Sequence, residues 1–131
     1  MTKLVAAIVA GVLAFAVVAA GANPVTDRYG DEYQKCNKGN TADTVRCVDA
    51  LVREWQTRLD EALKKLLDQL DEPKRRDELQ AAQDLWVKFR EANCGWYAAG
   101  PGTIAQIEGV ECMRSMTAER TLELEEAGEQ H

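Results

Sequence analysis

Four cysteines, Cys36, Cys47, Cys94 and Cys112, follow an N-terminus of export type. A chain that leaves the cytoplasm meets oxidising conditions, in which the thiols of a small domain pair as disulfides. Two such bridges constrain the fold more than any other feature here. They also remove the thiols as nucleophiles and metal ligands, which argues against a cytosolic enzyme. The N-terminus reads Met1-Thr2-Lys3, then an uncharged run from Leu4 to Ala22, then Asn23-Pro24. One cation, an apolar stretch and the small residues Ala20-Gly21-Ala22 form a signal-peptide layout, with cleavage expected after Ala22. The run is also about as long as a bilayer-spanning helix needs. It is rich in Ala and Gly rather than Leu, however, so no stable membrane anchor is expected after cleavage. A lipid anchor would need a cysteine at the processing site, and Cys36 lies well beyond it.

Residues 1–22 are thus read as a signal peptide, 23–40 as a polar N-terminal arm, 41–126 as a helical domain and 127–131 as an acidic tail. Loss of Lys3 turns 16 basic residues into 15 against 22 acidic ones, a formal charge of −7 for residues 23–131. One small domain of this size has a thin core and gains much from cross-links. Each disulfide contributes on the order of 3 kcal/mol by restricting the unfolded chain. The acid is concentrated late: from Glu108 to His131 there are seven Glu, two Arg and no Lys. Phosphate contacts need clustered cations, so nucleic acid is excluded as a partner. A cationic protein is better matched, while the plainer reading is that acidity keeps an exported chain soluble.

The apolar pattern is helical throughout. Asn40 or Thr41 can cap a first long helix, with Asp43 in its first turn where the helix dipole favours an anion. Val48, Val52, Trp55, Leu59, Leu63, Leu66 and Leu70 follow at steps of three or four, one stripe of an α-helix. A short helical turn around 31–38 precedes it. Pro73 then interrupts, and Asp71-Glu72-Pro73 reads as the end of one helix and the start of the next. Leu79, Ala82, Trp86, Phe89 and Asn93 form a second stripe, expected to end at Gly95 and Gly100-Pro101-Gly102. A third long helix is expected to begin between Thr103 and Gly109 and to run to about Glu126. Its face would carry Met113, Met116 or Thr117, Arg120 and Leu124, the least apolar of the three. The fold class is therefore all-α, a small antiparallel bundle of three to four helices stapled by two disulfides. Short connections return each helix against the last, so all four thiols gather at one end. Four cysteines allow three pairings, and proximity in sequence favours Cys36–Cys47 with Cys94–Cys112.

Further residues carry a resemblance. The chain reads Leu79-x-x-x-Gln83-x-x-Trp86-x-x-x-Arg90-x-x-x-Cys94, a glycine-containing loop, Cys112, then Thr117-x-x-Arg120-x-x-x-Leu124. With Cys36, Cys47 and Leu59 before it, this pattern resembles the LprI-type family of small exported bacterial proteins, over roughly 33–124. The resemblance implies a disulfide-bonded helical domain of the periplasm or cell envelope, and inhibition of lysozyme as its activity. The chain departs from the family in two places. It lacks the lipobox cysteine of the founding member, and its loop reads Gly100-Pro101-Gly102-Thr103 where many relatives have a Gly-Ser turn.

Gln83, Trp86 and Arg90 lie on adjacent turns of one helix. They could form a binding face, but on an apolar stripe the structural reading is preferred: Trp86 in the core, with Gln83 and Arg90 hydrogen-bonded near the disulfides. Thr117 and Arg120 read the same way on the third helix, and Trp55 reads as core. Trp96, Tyr97 and the loop to Thr103 are more open to function, because rigid aromatics beside glycines can be displayed and are enriched at binding hot spots. The alternative is that Trp96 caps the bundle end. A partner site would join this loop to the third helix, with Glu108, Glu111 and Glu119 steering a basic protein.

Catalysis is a poor fit, since the one histidine, His131, is the last residue. No Cys-His or Ser-His pair is available without it. The chain has no Cys-x-x-Cys metal motif, and no cofactor is implied. The expectation is a periplasmic or secreted, monomeric or weakly associating, non-enzymatic binding protein. Its sharpest version is a lysozyme inhibitor that protects the cell wall by occluding the active-site cleft. The alternative is a structural or adaptor protein of the envelope that binds another bacterial protein or peptidoglycan.

Overall fold

A computed structural model describes residues 23–130, and the expected signal segment, residues 1–22, lies outside them, as does His131. The described residues form four helices and no strand: α1 (Asp31–Cys36), α2 (Thr41–Gln69), α3 (Pro73–Ala98) and α4 (Ile104–Glu129). Among them no helix is long and apolar enough to cross a membrane. Asn40 caps α2, its side chain accepting the Asp43 backbone N–H at 3.0 Å. Pro73 opens α3, where its missing N–H costs nothing. Cys36 is bonded to Cys47 and Cys94 to Cys112, each pair with Cα atoms 5.4 Å apart.

The stripe of α2 packs inward, with Val48, Trp55, Leu59, Leu66 and Leu70 buried. Val48 meets Tyr33, Cys36 and Ile107 at the disulfide end, and Leu59, Ala62 and Leu66 meet Leu124 towards the other. Helices α2 and α4 therefore run parallel, Trp55 opposite Thr121 and Arg58 opposite Glu125. Helix α3 runs antiparallel to both, with Gln83 bonded to Arg120 and Cys94 to Cys112. Although α2 and α3 are consecutive, each packs chiefly on α4, which lies between them.

The third long helix, the least apolar by sequence, is thus the one most enclosed by its neighbours. Helix α4 is buried on most of its circumference: Ala105, Ile107, Glu111, Arg114, Ser115, Thr117, Ala118, Thr121 and Leu124 are all inside. Its small side chains let both neighbours approach, closest at Gly109, where a Cβ would lie 2.6 Å from Cβ of Ala98. Its hydroxyls are satisfied locally: Thr117 and Thr121 donate to the carbonyls of Met113 and Thr117, at 2.6 and 2.7 Å, and Ser115 to that of Cys112 at 3.2 Å. Back-bonding of this kind lets a helix of modest hydrophobicity occupy a core.

Two boundaries and one buried face also differ from the sequence expectation. Gly95 does not end its helix. Helix α3 continues to Ala98, held there by the Cys94–Cys112 bridge and the Ala98–Gly109 approach. Helix α4 extends past Glu126 to Glu129, because Ala127 packs on the Leu59–Leu124 cluster and Gly128 lies against Gln69. On α3, Phe89 and Ala82 face outward, and Gln83 and Arg90 take the buried positions. The reason lies in the partners that α2 and α4 present to those two polar side chains.

Candidate functional site

At the disulfide end, α3 delivers Trp96 and Tyr97 on its last turn rather than on the loop that follows. Trp96 is 72 % exposed, the most exposed large apolar side chain among the described residues. It meets half-buried Tyr97 edge to face, with centroids 4.9 Å apart. The guanidinium of Arg28 lies over the other ring, 4.3 Å from the Tyr97 centroid, and donates to Sγ of Cys112 at 3.2 Å. Trp96, Tyr97, Ala99, Gly100, Pro101 and Glu108 enclose an open cleft of about 390 Å³. Gly102 turns the chain at φ 76°, in the left-handed region that glycine tolerates. Thr103 is exposed and its hydroxyl caps nothing, so it is displayed at the start of α4.

Of the three steering carboxylates expected from sequence, only Glu108 belongs to this cleft. Glu119 is exposed about three turns further along α4. Glu111 does not face a partner at all: its side chain is 0 % exposed. It takes both Nε and Nη2 of Arg114, at 2.8 and 2.7 Å. Arg114, also 0 % exposed, spends its remaining donors on the carbonyls of Val25 and Asp27 and on Glu32, at 2.7, 2.8 and 2.7 Å. All five N–H donors are thereby used. Burial opposes the charge of Arg114, but the bonds and charges of Glu111 and then Glu32 outweigh it and raise its pKa above the ordinary arginine value.

This clamp fixes residues 23–32, so the stretch read as a polar arm is part of the packed structure. It sets Arg28 over the Tyr97 ring at the edge of the cleft and Tyr29 against Glu111, which the sequence reading missed. The Tyr29 amide donates to Glu111 at 2.9 Å, and Tyr29 holds φ 59°, rare for a residue with a side chain. Burial, then the charges of Glu108 and Glu111, raises the Tyr29 pKa above its ordinary value. The cleft beside Trp96 thus holds an acid, Glu108, and a tyrosine, Tyr97, whose ring already occupies the one nearby arginine. No signal in 23–30 marks this, because the partner that orders the stretch, Arg114, lies far along the chain.

The motif residues of α3 and α4 form a separate layer, between helices. Arg90 donates from Nη1 to Gln56 and Thr117, at 2.8 and 2.9 Å, and its guanidinium lies 4.8 Å over the ring of Trp86. No carboxylate bonds it, and burial lowers its pKa from the ordinary arginine value, with the nearby charges of Glu91 and Asp60 opposing. Arg120 donates from Nε to Gln83 at 3.0 Å and from Nη1 to Glu123 at 2.7 Å. Gln83, Arg90 and Thr117 are buried. The structure brings these five residues together as a polar seam between α3 and its neighbours, away from Trp96. Among the described residues no cluster of three or more His, Cys, Asp or Glu is placed to hold a metal ion.

A protein-family model described as Lysozyme inhibitor LprI matches residues 34–124, a span that starts within α1 and ends near the C-terminus of α4. No curated protein and no solved structure matches the chain.

Proposed function

The chain belongs to the LprI lysozyme inhibitor family, and from that membership we propose that it binds a lysozyme in the periplasm or outside the cell and blocks the enzyme's substrate cleft by steric occlusion. The family match carries the reading. The contact surface would be the disulfide end: exposed Trp96 as the anchor, Tyr97 beside it, and Glu108 as the nearby carboxylate. A rigid aromatic on a helix locked by a disulfide loses little entropy on binding. A net formal charge of −6 favours encounter with a basic enzyme, with Glu119 adding to the field at longer range. The activity is binding rather than catalysis, and it calls for no cofactor.

The test is lysis of bacterial cell walls by lysozymes of several classes in the presence of rising amounts of the oxidised protein. A dose-dependent loss of lysis is expected, weakened about tenfold or more in Trp96→Ala, within the range for a truncated hot-spot aromatic. Glu108→Gln should slow association and reduce the salt dependence of binding. Failure to inhibit any class, with both disulfides confirmed by mass, would remove this reading.

A further inference from the structure

Helix α3 has a second apolar face that nothing in the described structure covers. Ala82, Leu85, Phe89, Ala92, Trp96 and Ala99 are all exposed, Leu85 by 67 % and Phe89 by 60 %. They succeed one another at steps of three, four, three, four and three. That is the a/d spacing of a helix that packs along its length against another helix. The side chains that α3 buries in its own bundle, Gln83, Arg90 and Cys94, lie on another side of the same helix. A soluble surface rarely lines up so many apolar positions without a use.

We infer that this face pairs with the same face of a second copy, antiparallel about a two-fold axis near residues 90 and 91. Three observations favour a second copy. The row is self-complementary in size: about that axis Phe89 falls opposite Ala92 of the second copy, and Leu85 opposite its Trp96. A parallel pairing would set Phe89 on Phe89 and Ala92 on Ala92, bulk against bulk and gap against gap. The charges also match. Lys88 and Glu91 are exposed on the same flank of the row, and among the described residues neither forms an ion pair. In an antiparallel pair like flanks adjoin, so Lys88 of each copy reaches Glu91 of the other, twice over.

The area fits a weak dimer. Four aromatic rings at their present exposure contribute roughly 400–700 Å², since a fully covered ring buries about 150–250 Å². Leu85, the alanines and the Lys88 stems bring the total near 1,000 Å², about the lower bound of a specific interface. An isologous interface of this kind closes at two copies. Trp96 belongs both to this row and to the lysozyme-facing cleft, so the two contacts exclude each other at that residue.

Residues 23–131 contain all four helices and both disulfides, and that oxidised chain is the material to test. Sedimentation from about 5 to about 500 µM, a range that brackets weak association, should show the mass rising towards twice the monomer's. Phe89→Glu, outside the lysozyme-facing cleft, should raise the dimer Kd at least about tenfold while helicity and both disulfides stay intact. Lys88→Glu should raise it about threefold or more, and Lys88→Glu with Glu91→Lys should return it to near wild type, because the reversed pairs form again. A chain that stays monomeric across the whole range overturns the inference. So does a dimer indifferent to Phe89→Glu, or a charge reversal without rescue. None of these readouts depends on lysozyme, so they stand apart from the inhibition assay.

Discussion

One buried guanidinium joins the N-terminal stretch to the core. Arg114 and Glu111 are both inaccessible to water, and a charge in that position is tolerated only with its partners in place. Removing Arg114 strands the Glu111 carboxylate and frees the carbonyls of Val25 and Asp27. Arg114→Met should therefore lower the unfolding free energy by about 3–5 kcal/mol, and Arg114→Met with Glu111→Met should recover part of it, since the stranded charge is gone. Urea melts of the three proteins decide this; equal losses in the single and double variants would mean that the carbonyl contacts, not the charge, carry the cost. Neither residue could be placed from the sequence. Glu111 lies among acids that do face solvent, and its separation from Arg114 by one helical turn is common to many surface pairs. Trp55 was placed correctly as core, and its indole N–H donates to Glu32 at 2.9 Å, so the same carboxylate serves two buried donors.

At the scale of the helix, two glycines where α3 meets α4 behave oppositely, and only Gly109 sets the packing. Gly109 sits where α4 meets Ala98, with the Cα of Ala98 3.1 Å and its N 3.3 Å from a built Cβ, so backbone would have to move. Gly95 has nothing within 4 Å of such a Cβ. Alanine improves helix propensity by about 1 kcal/mol at either position, but overpacking costs about 1–3 kcal/mol where no space exists. We expect Gly109→Ala to destabilise by up to about 2 kcal/mol and Gly95→Ala to stabilise by about 0.5–1 kcal/mol, read as opposite shifts in thermal midpoint. A rise in both would mean that the two helices separate freely at Gly109. The periodicity of α2 was sufficient to find its buried face. That of α3 was not, because the helix carries two faces, and the more apolar row, through Phe89, is the one left outside. Gln83 and Arg90 go inside because Arg120, Gln56 and Thr117 meet them there.

For the molecule as a whole, the two bridges close loops of 11 and 18 residues at one end, and the end near Pro73 depends on packing alone. Replacing Cys94 and Cys112 together by Ala should cost roughly 3 kcal/mol, the value for a loop of about this length. It should also reduce the proposed lysozyme inhibition, because the last turn of α3 that carries Trp96 is tied to α4 by that bridge. Chemical denaturation with the cell-wall assay on the same samples checks both. Unchanged inhibition in a destabilised protein would show that the Trp96 turn is ordered without the bridge.

The sequence alone determined the helical class, the break at Pro73, the cap at Asn40 and the inward face of α2, and it favoured, without deciding, the two local disulfides that the structure forms. Each depends on residues within a few turns of one another, where spacing and turn chemistry act directly. Only the tertiary structure decided that α4 is the central helix, that Glu111 is an internal ion-pair partner, that residues 23–30 are docked and that α3 keeps an apolar row outside. Those outcomes depend on which polar groups find partners across the fold. Arg114 reaches Val25 and Glu32 from more than eighty residues away, and such a pairing leaves no local pattern in the chain.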